Sequence, residues 1–176
     1  MNYTQPNQNI EGWMSQEELE WLYQKAKAMK KIVEVGSWMG RSTHALLSGC
    51  PGKVYAVDHF KGSPSENKKG GAHARAIKED IHALFQKNVG HFENLVVMKM
   101  ESKVAAEFFK EKEADMVFLD PDHEYPAIKE IMETWLPKCK KLFCGHDITQ
   151  AGTPKAFEEL GLKPEKVVGN IWVIEL

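Results

Sequence analysis

Cysteine is scarce: Cys50, Cys139 and Cys144 are the only three, an odd number with no C-x-x-C pair. This excludes a disulfide framework and a cysteine zinc site, and leaves each thiol as a small buried apolar group in a reducing cytosol. No apolar run approaches the roughly 20 residues that a membrane helix needs. The opening "MNYTQPNQNIEGW" has no basic stretch leading into an apolar one, so it does not read as a secretory signal. A dominant charge is missing as well: a formal net charge of -2 gives no broad attraction to nucleic acid or to an anionic membrane. Internal repeats are absent. What remains, 176 residues of which 43% are hydrophobic, suits one domain with one sizeable core.

Residues 1–14 are polar and read as a loose N-terminal arm, followed by a single domain over 15–176. Ser15 and Glu18 form a capping-box pair ahead of Leu19, Leu22, Ala26 and Met29 at helical spacing. Short β-rich runs then alternate with helical segments. "KIVEVG", "KVYAVD", "NLVVMKM", "DMVFLD" and "KLFCGHD" read as strands. The intervening helices are "RSTHALLSGC", a segment marked by Ile77, Ile81, Leu84 and Phe85, then "SKVAAEFFK" with Ser102 as its cap, then "YPAIKEIMETWLPK" with Pro126 in its first turn, and finally "TPKAFEELG". Ile128, Ile131, Met132 and Trp135 form the buried stripe of the fourth of these. Near the end, "EKVVGNIWVIEL" holds two β runs joined by Gly169-Asn170, a tight-hairpin signal. The order predicts an α/β fold: a three-layer Rossmann-like sandwich around a mostly parallel, seven-stranded sheet. The hairpin forces one antiparallel strand into it.

In such sheets ligands sit beyond the carboxyl ends of the strands. There the sequence has neither G-x-G-x-x-G nor a lysine-bearing P-loop. It has "EVGSWMG", with Gly36 and Gly40 four apart, and Asp58 placed 22 residues after Gly36 at the end of the next strand. Glycines let a backbone approach a ligand, and a strand-end carboxylate can accept both hydroxyls of a ribose. Glu34 beneath that turn would repel a pyrophosphate and tolerate a ligand bearing an ammonium and a sulfonium, which favours S-adenosylmethionine over NAD. A tight structural turn with Asp58 capping a loop is the bland alternative.

Glu34-x-Gly36-x-x-x-Gly40 followed by Asp58 resembles the first two motifs of the Rossmann-like S-adenosylmethionine-dependent methyltransferases. The stretch "MVFLDPDHEYPAIKEIMETWLPKCKKLFCGHDIT" is similar to the small-molecule O-methyltransferase branch that includes cephalosporin-hydroxylase-like and macrolide-sugar O-methyltransferases. The resemblance covers about residues 30–150. Lys140-Lys141 stand where that branch usually has two glycines, a departure expected to affect only the turn before the fifth strand. The resemblance implies that Glu34, Gly36, Ser37 and Gly40 line the methionine end of the cofactor, with Arg41 and Ser42 nearby. It places Asp58 on the ribose, His59 beside it, Glu101 and Ser102 toward the adenine, and counts Asp120 among the cofactor-binding residues. Trp38 either shields the cofactor or belongs to the core.

A second constellation comprises Asp120, His123, His146 and Asp147. Two carboxylates at neighbouring strand ends repel unless protonated or bridged by a cation. The resemblance implies a divalent ion of the magnesium or manganese type on Asp120 and Asp147, which would lower the pKa of a substrate hydroxyl; His146, the third candidate ligand, stands where that arrangement tends to offer an acidic or amide group. An imidazole, however, suits manganese, iron or zinc better than magnesium. The metal-free alternative makes His123 or His146 the general base. His44, His73, His82 and His91 lie away from the strand ends, with solvent exposure as the default. The loop over 59–72, rich in Lys, Gly and Ser, reads as a lid or as a solvated loop.

The reading is therefore an S-adenosylmethionine-dependent methyltransferase acting on a small-molecule hydroxyl. The arm and the 59–72 loop would supply much of the acceptor pocket, with a homodimer left open. An NAD-type enzyme and a non-catalytic binding module are the rivals. Nucleic-acid methylation lacks both a basic face and an Asn/Asp-Pro-Pro-Tyr motif.

Overall fold

The β runs become strands because they are short, β-branched and apolar, and each is followed by a turn signal and a helix. The computed structural model describes residues 10–62, 72–121, 124–150 and 152–176. Helix α1 is Gln16–Ala26, β1 Lys31–Val35, α2 Arg41–Gly49 and β2 Lys53–Val57; a 3-10 helix Ala72–Ile77 leads to α3, Ile81–Val89. Strand β3 is Leu95–Met98, α4 Ser102–Ala106, β4 Ala114–Leu119 and α5 Ala127–Trp135. Then come β5 Cys139–Gly145, α6 Gly152–Leu160, β6 Glu165–Val168 and β7 Ile171–Glu175.

The seven strands form one sheet in the order β3-β2-β1-β4-β5-β7-β6, with β7 antiparallel to both of its neighbours and the other pairings parallel. This is the expected mostly parallel sheet with one reversed strand. Each face carries its own core. Ile32, Met116, Phe118, Cys144, Ile171 and Val173 point toward α1, α2 and α3. Val33, Val35, Val117, Leu119, Phe143 and Trp172 point toward α5 and α6. All three cysteines are free and buried, as small apolar residues should be.

The chain crosses from one half of the sheet to the other between β1 and β4, and the registers there align the carboxyl ends of the strands. Val35 pairs with Val57 and Leu119, and Leu119 with Gly145. The four strands therefore stop level. Gly36, Asp120 and His146 each donate an amide to the last residue of the adjacent strand, at 2.9, 2.8 and 2.9 Å, and Asp58 continues the row with a 3.2 Å bond to Met98.

Several local expectations need correction. Residues 10–14 are not loose: Ile10 and Met14 are buried in the core beside α1. Ile77 is 69% exposed and ends the 3-10 helix, because Asp80 caps a new helix by accepting from the Ala83 amide. Ser102 does not cap α4; Glu101 occupies the cap position, and the Ser102 hydroxyl accepts from Trp135 Nε1 at 3.0 Å. Lys140 and Lys141 lie within β5 rather than in a turn, and Lys141 Nζ meets Asp115 Oδ1 at 2.8 Å. His44 is buried, edge-on to Phe92 at 5.2 Å, and that burial lowers its pKa. His123, residues 1–9 of the arm and residues 63–71 of the supposed lid lie outside the described residues.

Candidate active site

The loop after β1 turns on three residues with positive φ, Gly36 at 87°, Trp38 at 47° and Gly40 at 92°. Gly36 has two reasons to be glycine: its φ, and a Cβ that would stand 2.2 Å from the Asp120 carbonyl oxygen. The loop is thereby pressed against the end of β4. Gly40 precedes α2 with no side-chain cap.

Glu34 is wholly buried on the α2 side of the sheet. It accepts hydrogen bonds from Ser37 Oγ at 2.7 Å, Ser42 Oγ at 2.6 Å and Thr43 Oγ1 at 2.5 Å. The carboxyl thus bolts the glycine loop to α2. Loss of water pushes its pKa up to about 7; the three hydroxyls oppose this and the Asp58 charge adds to it. Ser37 and Ser42, two of the expected cofactor residues, turn inward to Glu34.

Asp58 is the loop's second anchor. Its Oδ2 accepts the amides of Ser37 and Trp38 at 2.9 Å each, and Oδ1 accepts the Phe60 amide at 2.6 Å. Carboxylate oxygens have further lone pairs, and the side chain keeps 14% of its surface open. His59 stands beside it, with Nδ1 accepting the Lys61 amide at 2.9 Å. Glu101 is exposed just beyond β3. Arg41 is turned away from this row: Nε donates to the Met14 carbonyl at 2.9 Å and Nη1 to the Ile10 carbonyl at 2.8 Å. It fastens residues 10–14, where Trp13, 59% exposed, comes within 6.2 Å of the half-buried Trp38 ring.

Asp120, His146 and Asp147 do come together. One candidate ligand atom from each lies within 4.8 Å of the others. His146 Nδ1 is 3.2 Å from Asp147 Oδ1 and 3.8 Å from Asp120 Oδ1. Asp147 is held at φ 56°, a left-handed conformation uncommon outside glycine. Loss of water raises the Asp120 pKa to about 7; His146 opposes that, and the Asp147, Glu34 and Glu18 charges reinforce it. For His146, burial disfavours the imidazolium but is outweighed by the Asp147 hydrogen bond and by Asp120, Asp147 and Glu18, so its pKa rises to about 9. Tyr125 is elsewhere, donating to Glu159 Oε2 at 2.7 Å.

Glu18, in sequence terms only half of a helix cap, also reaches this cluster. Glu18 does close the capping box, with Ser15 N donating to Oε2 at 2.7 Å. Its Oε1, however, faces His146 Nε2 at 3.0 Å and accepts the Asn170 amide at 2.7 Å. No local pattern announces a contact between positions 18 and 146. On the far side of β5, Trp172 Nε1 donates to the His146 carbonyl at 3.0 Å.

The donor set fits a divalent ion: two carboxylates and one imidazole, hard oxygens with a borderline nitrogen. Among the described residues no helix is long and apolar enough to cross a membrane.

A family model described as a methyltransferase domain matches residues 33–147. No curated protein matches the chain by sequence. Similar solved structures include an O-methyltransferase from Bacillus cereus in complex with SAH, at 17% identity and TM-score 0.65, covering 96% of this chain and 85% of that one. An SAH-bound methyltransferase from Podospora anserina aligns at 13% identity and TM-score 0.61, covering 92% and 78%. A TDP-rhamnose 3'-O-methyltransferase of calicheamicin biosynthesis aligns at 15% identity and TM-score 0.58, covering 90% and 77%. At these identities the likeness is one of fold.

Proposed function

Since residues 33–147 match its model, the chain belongs to the methyltransferase-domain family, and we propose that it moves the methyl group of S-adenosylmethionine to a hydroxyl of a small-molecule acceptor. The observation that carries this reading is the level ending of β1, β2, β4 and β5, which sets the glycine loop, Asp58, Asp120 and Asp147 along one edge. The Bacillus cereus neighbour, an O-methyltransferase in complex with SAH, and the sugar O-methyltransferase support the donor and an oxygen acceptor.

When bound, S-adenosylmethionine supplies an electrophilic methyl group that an acceptor oxygen displaces in line, so the protein's share is mainly positioning. Gly36 and Gly40 open the backbone for the donor's amino-acid end, and Glu34 fixes the loop from below. Asp58 holds the same loop by two amides and retains lone pairs for ribose hydroxyls. Glu101 reaches solvent beyond β3, on the side proposed for the base. A divalent ion on Asp120, His146 and Asp147 would supply Lewis acidity toward the acceptor hydroxyl. The metal-free alternative with His146 as general base is less favoured, since both ring nitrogens already face carboxylates. The acceptor would enter over Trp13 and Trp38. An ion pair between Glu11 and Arg75 supports this, joining residues 10–14 to the 3-10 helix that follows the 59–72 loop.

The test separates donor from acceptor chemistry. Calorimetry should detect S-adenosylhomocysteine and not NAD. Asp58→Ala should abolish that binding, whereas Asp147→Ala should retain it and lose turnover of donor with a panel of hydroxylated acceptors. Equal loss of binding in both variants would refute the division of roles.

A further inference from the structure

We propose that Glu18, on the first turn of α1, is a positioning residue that presents His146 Nδ1 as a metal ligand, and that this makes the site prefer manganese(II) to magnesium(II). The inference rests on the cation reading of Asp120, His146 and Asp147 above.

A carboxylate accepts hydrogen bonds and donates none, so Glu18 Oε1 at 3.0 Å requires the proton of the imidazole to sit on Nε2. The other nitrogen, Nδ1, hydrogen-bonds Asp147 Oδ1 at 3.2 Å and lies 3.8 Å from Asp120 Oδ1, so a divalent ion arriving between these carboxylates would displace the Nδ1 proton and take its place, while the Nε2 proton stays on Glu18. Ligating histidines commonly have this second partner: a carboxylate on the far nitrogen fixes both tautomer and ring orientation. Rotation of the ring is further limited because His146 is only 6% exposed and its backbone carbonyl is held by Trp172 Nε1.

Glu18 is itself rigid. Oε2 accepts from Ser15 N at 2.7 Å, and Oε1 accepts from Asn170 N at 2.7 Å besides facing the histidine. Gly169, at φ 52°, makes room for it, since a Cβ there would stand 2.2 Å from Oε1. The orienting carboxylate is thus gripped by the chain's first helix and its closing hairpin together.

The donor chemistry decides the ion. Magnesium favours oxygen ligands and retained water, whereas an imidazole nitrogen favours the first-row transition ions, and manganese(II) also accepts carboxylates well. Two aspartates alone would serve magnesium; the oriented imidazole shifts the preference.

The experiment titrates manganese(II) into the full chain by electron paramagnetic resonance and calorimetry, with magnesium(II) in parallel, for wild type, Glu18→Gln, His146→Asn and Asp80→Ala. Wild type should bind manganese more tightly and show nitrogen modulation from a directly bound imidazole in pulsed resonance. His146→Asn should lose the nitrogen signal and the preference. Glu18→Gln should lose roughly 10-fold or more of manganese affinity, the size seen when a ligand's outer partner is removed, with magnesium affected less. Asp80→Ala removes the side-chain cap of α3, which bonds neither Glu18 nor His146, so it should lower the melting temperature and leave the manganese-to-magnesium ratio unchanged. A wild-type preference for magnesium, absence of metal binding, or an unchanged ratio in Glu18→Gln would overturn the inference. S-adenosylhomocysteine binding measured on the same samples keeps the readings apart: its loss from wild type would strike the methyltransferase reading, its retention without the metal pattern only the inference.

Discussion

Replacing Glu34 by glutamine should abolish a pH dependence of stability that the wild type carries. The buried carboxyl is raised from its ordinary 4.5 to about 7 in the fold. A raised folded-state pKa means that the unfolded chain gives up its proton first. Stability is therefore fully present below pH 4.5 and is lost as pH rises through 7. The gap between those values corresponds to about 3 kcal/mol. Glutamine keeps the volume and cannot titrate, and the Ser42 hydroxyl can reverse to accept from its amide. At pH 5 Glu34→Gln should thus cost no more than about 1 kcal/mol, one imperfect hydrogen bond. By pH 8 the wild type should have lost its advantage and the variant should be the more stable. Glu34→Ala is the control: it leaves the Ser37, Ser42 and Thr43 hydroxyls without their acceptor, at about 1 kcal/mol each or more. Urea denaturation from pH 5 to 8 measures all three proteins. Asp120 and His146 titrate in each of them and largely cancel, so the difference between wild type and Gln variant reports Glu34 together with its electrostatic coupling to Asp120. A difference that stays constant across this range, or a Gln variant as damaged as Ala at pH 5, would refute the account of a buried, hydroxyl-bound carboxyl.

Gly36→Ala should destabilise the fold by several kcal/mol, since a Cβ 2.2 Å from the Asp120 carbonyl must push two backbones apart and the φ of 87° is strained for alanine. Any folded remainder should bind S-adenosylhomocysteine at least 10-fold more weakly by calorimetry, because the loop has moved. Arg41→Ala removes both side-chain donors to the carbonyls of Ile10 and Met14 and should free residues 10–14, at a cost of about 2–3 kcal/mol. Proteolysis near Trp13 and a shift in tryptophan fluorescence would report it.

Secondary structure was legible where the signal is local. The β runs, the capping box at Ser15 and the Gly169-Asn170 turn depend on neighbours a few residues away, and each stands where the sequence puts it. The shared strand-end edge was legible for a related reason: in a parallel sheet, knowing where strands stop tells which residues share an edge. Side-chain direction was harder. Glu34 shares a face with Ile32, toward α2, where the hydroxyls of Ser42 and Thr43 bind it; period-two alternation gives the face but not those partners. Pairings between distant segments left no trace. His44 is covered by Phe92, Arg41 holds the carbonyls of Ile10 and Met14, and Glu18 meets His146 across 128 positions. Each is settled by tertiary packing, which a single sequence does not display.

The placement of β7 between β5 and β6 makes one corner of the fold depend on the last strands of the chain. The glycine loop and Asp58 depend on β1, β2 and α2, which are near neighbours in the chain. The Glu18–His146–Asp147 corner needs α1 to meet a turn about 150 positions away, a contact of high sequence separation and slow closure. A chain in which the final hairpin has not docked can therefore possess its glycine loop and Asp58 and lack the Glu18–His146–Asp147 corner. Competence for binding should precede competence for transfer during refolding, with the hairpin acting as the last part of the assembly to arrive.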